Sequence, residues 1–203
     1  MAKKKKRRVI PINELAGGPL NESATEGTAL ACALIAGAYI ENALGSLLAK
    51  VLIPGAVSDR LLNDPLAILS TASGRADMCY CLGLIDEPTY KNAKQIATIR
   101  NQFAHSHRPI DFDDPDVKHL CTVLRPPQLV DKDDKAVGTA TSDKLLSVPR
   151  QKFVITASGT FVTLAIVSLY SKSQTPPSHN VRCVISEDET SVVAATAIWK
   201  WNE

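Results

Sequence analysis

The sequence predicts an all-α helical bundle, on three observations. Apolar residues recur at three- and four-residue steps over long stretches, helix-start signals stand ahead of them, and proline or glycine closes them. In the first stretch Ser23 and Glu26 have capping-box spacing, so the serine hydroxyl and glutamate carboxylate can satisfy free amides reciprocally. Leu30, Ala33, Leu34, Gly37, Ile40, Ala43, Leu44, Leu47, Leu48 and Val51 then line one stripe of a long amphipathic helix, which Pro54-Gly55 ends.

Asp64-Pro65 reads as a second start, because the carboxylate can cap and proline tolerates the first turn. One broken helix or two short ones should follow, ending near Gly83. Asp86 and Pro88 open a further helix with Ala93, Ile96, Ala97, Phe103 and Ala104 as apolar positions. Asp114-Pro115 repeats the signal before Val117, Leu120, Cys121 and Leu124, and Arg125-Pro126-Pro127 stops that element. Phe153 to Ser171 is an uninterrupted apolar stretch rich in β-formers, whose length favours one buried helix. Beyond Pro176-Pro177 the segments 181–186 and 191–201 can pair as a small C-terminal hairpin or form a closing helix.

These elements divide the chain into a basic flexible arm (1–22), a helical core (23–126), a polar linker (127–148) and a C-terminal helix and tail packing on the bundle (149–203). With 203 residues, 45% apolar and 22% charged, the chain can bury a sizeable core and is neither fibrous nor disordered by composition. Its net charge of +2 hides an uneven distribution, because Lys3, Lys4, Lys5, Lys6, Arg7 and Arg8 supply much of the positive side. Such a run can contact nucleic acid or anionic lipid through phosphate charge, or be a solvated, disordered tail. Five cysteines, Cys32, Cys79, Cys81, Cys121 and Cys183, fall in no zinc-binding spacing and read as small apolar residues in a reducing cytoplasm. The basic start lacks the apolar run of a secretory signal, and hydroxyls and a glycine dilute the Phe153 to Ser171 stretch. A cytoplasmic protein without a membrane span is expected.

The chemically pointed run is Arg100-Asn101-Gln102-Phe103-Ala104-His105. Asn101 and His105 are four residues apart and share a helix face, so the amide can hold one imidazole nitrogen. Arg100 lies five residues from His105, about 140° around the helix. A frayed helix end or a second subunit related by a two-fold axis can close that angle. The bland alternative is equally concrete: Arg100 pairs with Glu41 or Asp77, and His105 faces the last carbonyls of its helix. Arg75 and Asp77 read as ion-pairing residues. His107, Asp111 and Asp113 lie close in sequence, but no helix aligns them as metal ligands, and no cofactor is expected.

Ala72 to Asp77, Leu82 to Ile85, Ile96 to Ser106 and Asp111-Phe112-Asp113 resemble, in order and spacing, the mannitol repressor family of helical bacterial regulators, over roughly residues 25–125. The narrower Arg100-Asn101-x-x-x-His105 also resembles the R-x4-H signature of HEPN domains, helical dimers many of which are metal-independent endoribonucleases. The first resemblance implies a dimeric regulator working through a protein or nucleic-acid partner; a helix-turn-helix is absent from the sequence. The second implies that His105 exchanges protons with a ribose 2′-hydroxyl, Arg100 steadies phosphate charge and Asn101 orients the imidazole or the substrate. Glu41, mid-way along the first helix between apolar residues, is a candidate partner of Arg100 in the same cleft by its position, independently of the resemblance.

Overall fold

Among the described residues a threonine starts the first helix. In the computed structural model, which describes residues 27–129, 139–172, 178–185 and 192–200, the last two spans by backbone, Thr28 Oγ1 accepts from the Ala31 amide at 3.2 Å. Helix α1 then runs Ala29–Val51. Ser23 and Glu26 lie outside the described residues, as does the basic run Lys3 to Arg8.

Helix α2, Ala56–Asn63, was not anticipated, since only Val57, Leu61 and Leu62 mark it and Leu62 alone is buried. The start expected at Asp64-Pro65 is corrected. Asp64 Oδ1 accepts from the Leu66 amide at 3.1 Å, making a local turn before a 3-10 turn over Ile68–Ser70. The true cap is Thr71, whose hydroxyl accepts from Gly74 N at 3.1 Å and opens α3, Ala72–Cys81. Gly83, at φ 67°, closes α3: the Leu84 amide donates to Cys79 O and the Gly83 amide to Tyr80 O, both at 2.9 Å. That pairing satisfies carbonyls left open by the helix end, and glycine adopts the left-handed turn at least cost.

Helix α4, Glu87–His105, is capped by Asp86, which accepts from Thr89 N at 3.0 Å. Helix α5, Pro115–Thr122, follows Asp114, whose carboxylate turns back to the Asp111 amide and the Arg108 guanidinium instead of capping. Asn92 then fastens the exit of α5, donating to Arg125 O at 2.8 Å and accepting from Arg125 N at 3.0 Å. Part of the stretch read as a linker is helical, α6 over Thr139–Ser147. The apolar stretch after it forms one helix, α7, Pro149–Tyr170, as its length indicated. Ser178–Ile185 (β1) and Val192–Lys200 (β2) pair antiparallel, so the hairpin replaces the alternative of a closing helix.

The architecture is an all-α bundle with that hairpin appended. Helix α1 is its axis, packed by α3, α4 and α7. Leu44, Leu47, Leu48, Ile96, Ile99, Phe153 and Leu164 are almost fully buried, and Phe112 stacks at a tilt between Phe103 and Phe153 with centroids 5.0 and 5.1 Å away. Helices α1 and α7 are long and apolar enough to cross a membrane by length and composition. Half of the most apolar window of α1 is buried inside the bundle, against a third for α7.

Candidate functional site

The site begins with a missing side chain. A Cβ placed on Gly37 of α1 would lie 2.9 Å from Arg100 Cβ and 2.6 Å from Arg100 Cγ. The glycine therefore lets the stem of Arg100 cross α1 closely, which carries its guanidinium into a pocket of about 180 Å³. Glu41, Ser70, Thr71, Ser73, Arg100 and Asn101 line it, so Glu41 and Arg100 share one recess. Arg100 Nη1 donates to Asn101 Oδ1 at 2.9 Å, and the Asn101 carbonyl thereby serves the arginine.

His105 does not line this pocket. Helix α4 stays regular through His105, so five residues still place imidazole and guanidinium about 140° apart. His105 is exposed in the last turn of α4, where a positive charge would favour the helix carbonyl end. Within one chain the structure assembles Arg100, Asn101 and Glu41 and leaves His105 apart. Gly37→Ala is expected to push Arg100 out of its place and cost about 1–3 kcal/mol, since the clash involves the arginine stem near its backbone. Urea denaturation checks this; an unchanged midpoint would show that α1 and α4 part freely.

The other two predicted residues are structural. Arg75 is 3% exposed and donates to three backbone carbonyls: Leu69 O at 2.7 Å, Glu41 O at 2.9 Å and Leu62 O at 3.0 Å. Its contact with the Glu41 carboxylate is longer, 4.0 Å. Asp77 takes a hydrogen bond from Lys94 at 2.9 Å and another from the Tyr90 hydroxyl at 3.0 Å, linking α3 to α4. Those bonds, Lys94 foremost, hold the Asp77 carboxyl below its ordinary pKa, and the Thr89 cap does the same for Asp86. Both groups are depressed in the folded state. Their stabilisation is therefore complete above the unfolded carboxylate range, near pH 4, and is lost as pH falls through the lower folded values. Melting temperature should fall on acidification below pH 4, and Asp77→Asn should flatten part of that slope; identical slopes would remove Asp77 from the acid response.

The thiols offer no reactive centre in the core. Burial pushes Cys79 up to about 12 and Cys121 to about 11, and it also raises Cys32; Cys81 is the exposed cysteine among those described. Among the described residues no cluster of histidine, cysteine and carboxylate side chains could hold a metal ion.

Sequence reasoning missed an apolar groove on the surface of the described residues. Where α1 turns into α2, Ile53, Pro54, Val57, Leu61 and Leu82 border an open groove of about 600 Å³. Val57 is 62% exposed there, and beyond α2 Leu66 and Ile68 are 93% and 77% exposed. Its residues come from the turn, α2 and the end of α3, so no single periodic stripe announces it.

No family model matches the sequence, and no curated protein matches it. A solved structure does: a chain of the X-ray structure of the MtlR-HPr complex from Escherichia coli, at 17% identity and a TM-score of 0.51. The match covers 76% of this chain and 98% of that one. The shared property is the fold. This chain has a helical fold similar to that chain's.

Proposed function

We propose that this protein is a helical regulator that works as a symmetric dimer through a protein partner, using the groove between α1, α2 and the end of α3. The observation that carries this reading is the groove itself. A wide, solvent-open depression bordered by exposed aliphatic side chains loses free energy to water until another apolar surface covers it. A protein supplies such a surface; a nucleic-acid backbone, which is recognised by basic groups, does not. The MtlR of similar fold is seen in a complex with HPr, which supports a protein as partner and makes HPr the first candidate.

The test compares full-length wild type with Val57→Asp and His105→Ala as baits, with captured proteins quantified and purified HPr titrated in parallel. A partner retained by His105→Ala and lost by at least tenfold from Val57→Asp supports the reading. A partner that depends on His105 and ignores Val57 overturns it.

A second reading, a metal-independent endoribonuclease, is favoured by one observation: Arg100, Asn101 and His105 all reach solvent near the same end of α4. It requires a second copy to bring His105 of one chain to Arg100 of the other. Single-stranded RNA cleaved in the presence of a chelator by wild type, and not by His105→Ala, would establish it. The regulator reading expects that RNA to stay whole.

A further inference from the structure

Helix α2 is joined to the bundle by few interactions. Of its eight residues Leu62 is buried, while Ala56, Val57, Asp59 and Arg60 are exposed. A helix this short is not stable alone in water, so α2 depends on whatever docks it. Among the described residues two things do. The Leu62 side chain enters the core, where α2 rests on the 3-10 turn and on α1. Arg75 Nη2 reaches across from α3 and donates to Leu62 O at 3.0 Å. The remaining hydrogen bonds of the segment are local, from the Ser58 hydroxyl to Ile53 O and from the Asp64 amide to Arg60 O.

Both ends of α2 are built to turn. Gly55, ahead of it, holds φ 152° and ψ −179°, a conformation that only glycine adopts at low cost, and no side chain caps the first turn. Behind the helix, Asp64 makes the local turn that leads into Pro65. A separate observation favours release. Asn63 Oδ1 is buried without a hydrogen-bond partner among the described residues. Such an atom is costly while the helix is docked and regains water when the helix leaves, which lowers the cost of opening.

These features bear directly on the groove, because Ala56, Val57, Ser58 and Leu61 of α2 supply one part of its lining. We propose that α2 is a separately opening unit latched by Arg75, so that the groove is assembled while α2 is docked and dismantled when α2 melts away. Arg75 does not line the groove and acts as a positioning residue through Leu62. Its other hydrogen bonds, to Glu41 O in α1 and Leu69 O in the 3-10 turn, brace the latch on the bundle. A partner that fits the assembled groove binds the docked state and not the open one. It therefore holds α2 shut, and its apparent affinity falls with the fraction of chains in which α2 is open.

The inference names the regulation of the groove and rests on the reading above for the groove's purpose. Amide hydrogen exchange on the full-length protein, followed residue by residue by NMR, tests it with no partner present. The hydrogen-bonded amides of Asp59 to Asp64 should exchange as one group, on the order of a hundredfold faster than those of Leu44 and Leu47 in α1 and with a weaker dependence on urea. Arg75→Lys, which keeps the charge and loses the planar fork, should speed that group about tenfold. Asn63→Ala removes the unpaired oxygen and adds helix propensity, so it should slow the group roughly threefold; this variant decides the matter if Arg75→Lys does not fold. Amides of α2 that exchange at the rate of Leu44 and Leu47, with the same urea dependence, overturn the proposal, because the wall is then a fixed part of the bundle. Fast exchange indifferent to both substitutions also overturns it, since Arg75 then latches nothing. Neither result touches the capture experiment with Val57→Asp, which decides separately what the groove is for.

Discussion

Replacing Arg75 with leucine is expected to lower stability by about 4 kcal/mol, the largest effect of any single substitution proposed for this chain. The side chain is almost fully buried, and its three hydrogen bonds end on backbone carbonyls of three separate elements: α1, α2 and the 3-10 turn. Leu62 O lies in the last turn of α2 and Leu69 O in the 3-10 turn, where carbonyls lack intrahelical N–H donors. Leucine fills the volume in part but leaves these oxygens buried and unmatched, at about 1–3 kcal/mol each before the structure relaxes. For a chain of this length that corresponds to a fall of about 12 °C in melting temperature. Lysine keeps the charge and loses the planar fork, so Arg75→Lys should recover less than half of the deficit. A loss below 1 kcal/mol for Arg75→Leu would mean that water reaches these carbonyls.

The second large effect reverses a general preference. Alanine is favoured over glycine inside helices by about 1 kcal/mol. At Gly74, in the first turn of α3, the added Cβ would stand 2.0 Å from Ile68 O, a backbone atom of the preceding 3-10 turn. That oxygen cannot withdraw without moving the Thr71 cap and the Leu69 carbonyl that Arg75 holds. Overpacking against backbone wins over propensity, and Gly74→Ala should cost about 3 kcal/mol, read as a lower urea midpoint with unchanged slope. A stabilised variant would contradict the approach of the two segments.

Both residues belong to the run Ala72 to Asp77, on which the sequence resemblance partly rested, and the structure gives that run a framework role. Much of the fold was legible because its signals are local. The stripe in α1, the Asp86 cap of α4 and the length of α7 each follow from residues within one element. Asp64-Pro65 misled because an Asx turn and a helix cap use the same carboxylate geometry, and Thr71, seven residues on, took the capping role. Helix α2 escaped because a short element with one buried residue leaves almost no periodic trace.

The site was legible to a lesser degree, for a related reason. Spacing along α4 gave the 140° between Arg100 and His105, and the structure keeps it. The pocket around Arg100 depends on Gly37, more than sixty positions away, and on a clearance between helices that no spacing records. The groove at Val57 and Leu82 is likewise a product of tertiary placement, since its borders come from three elements.

If the groove is where this protein meets its partner, a negative charge at its rim should matter far more than loss of the imidazole at the end of α4. Quantitative capture with full-length wild type, Val57→Asp and His105→Ala, each checked for native circular dichroism, measures that difference directly. At least tenfold less partner on Val57→Asp, with His105→Ala equal to wild type, is the predicted result. Full capture by Val57→Asp together with loss on His105→Ala would contradict it and return the chemistry to the Arg100 to His105 run.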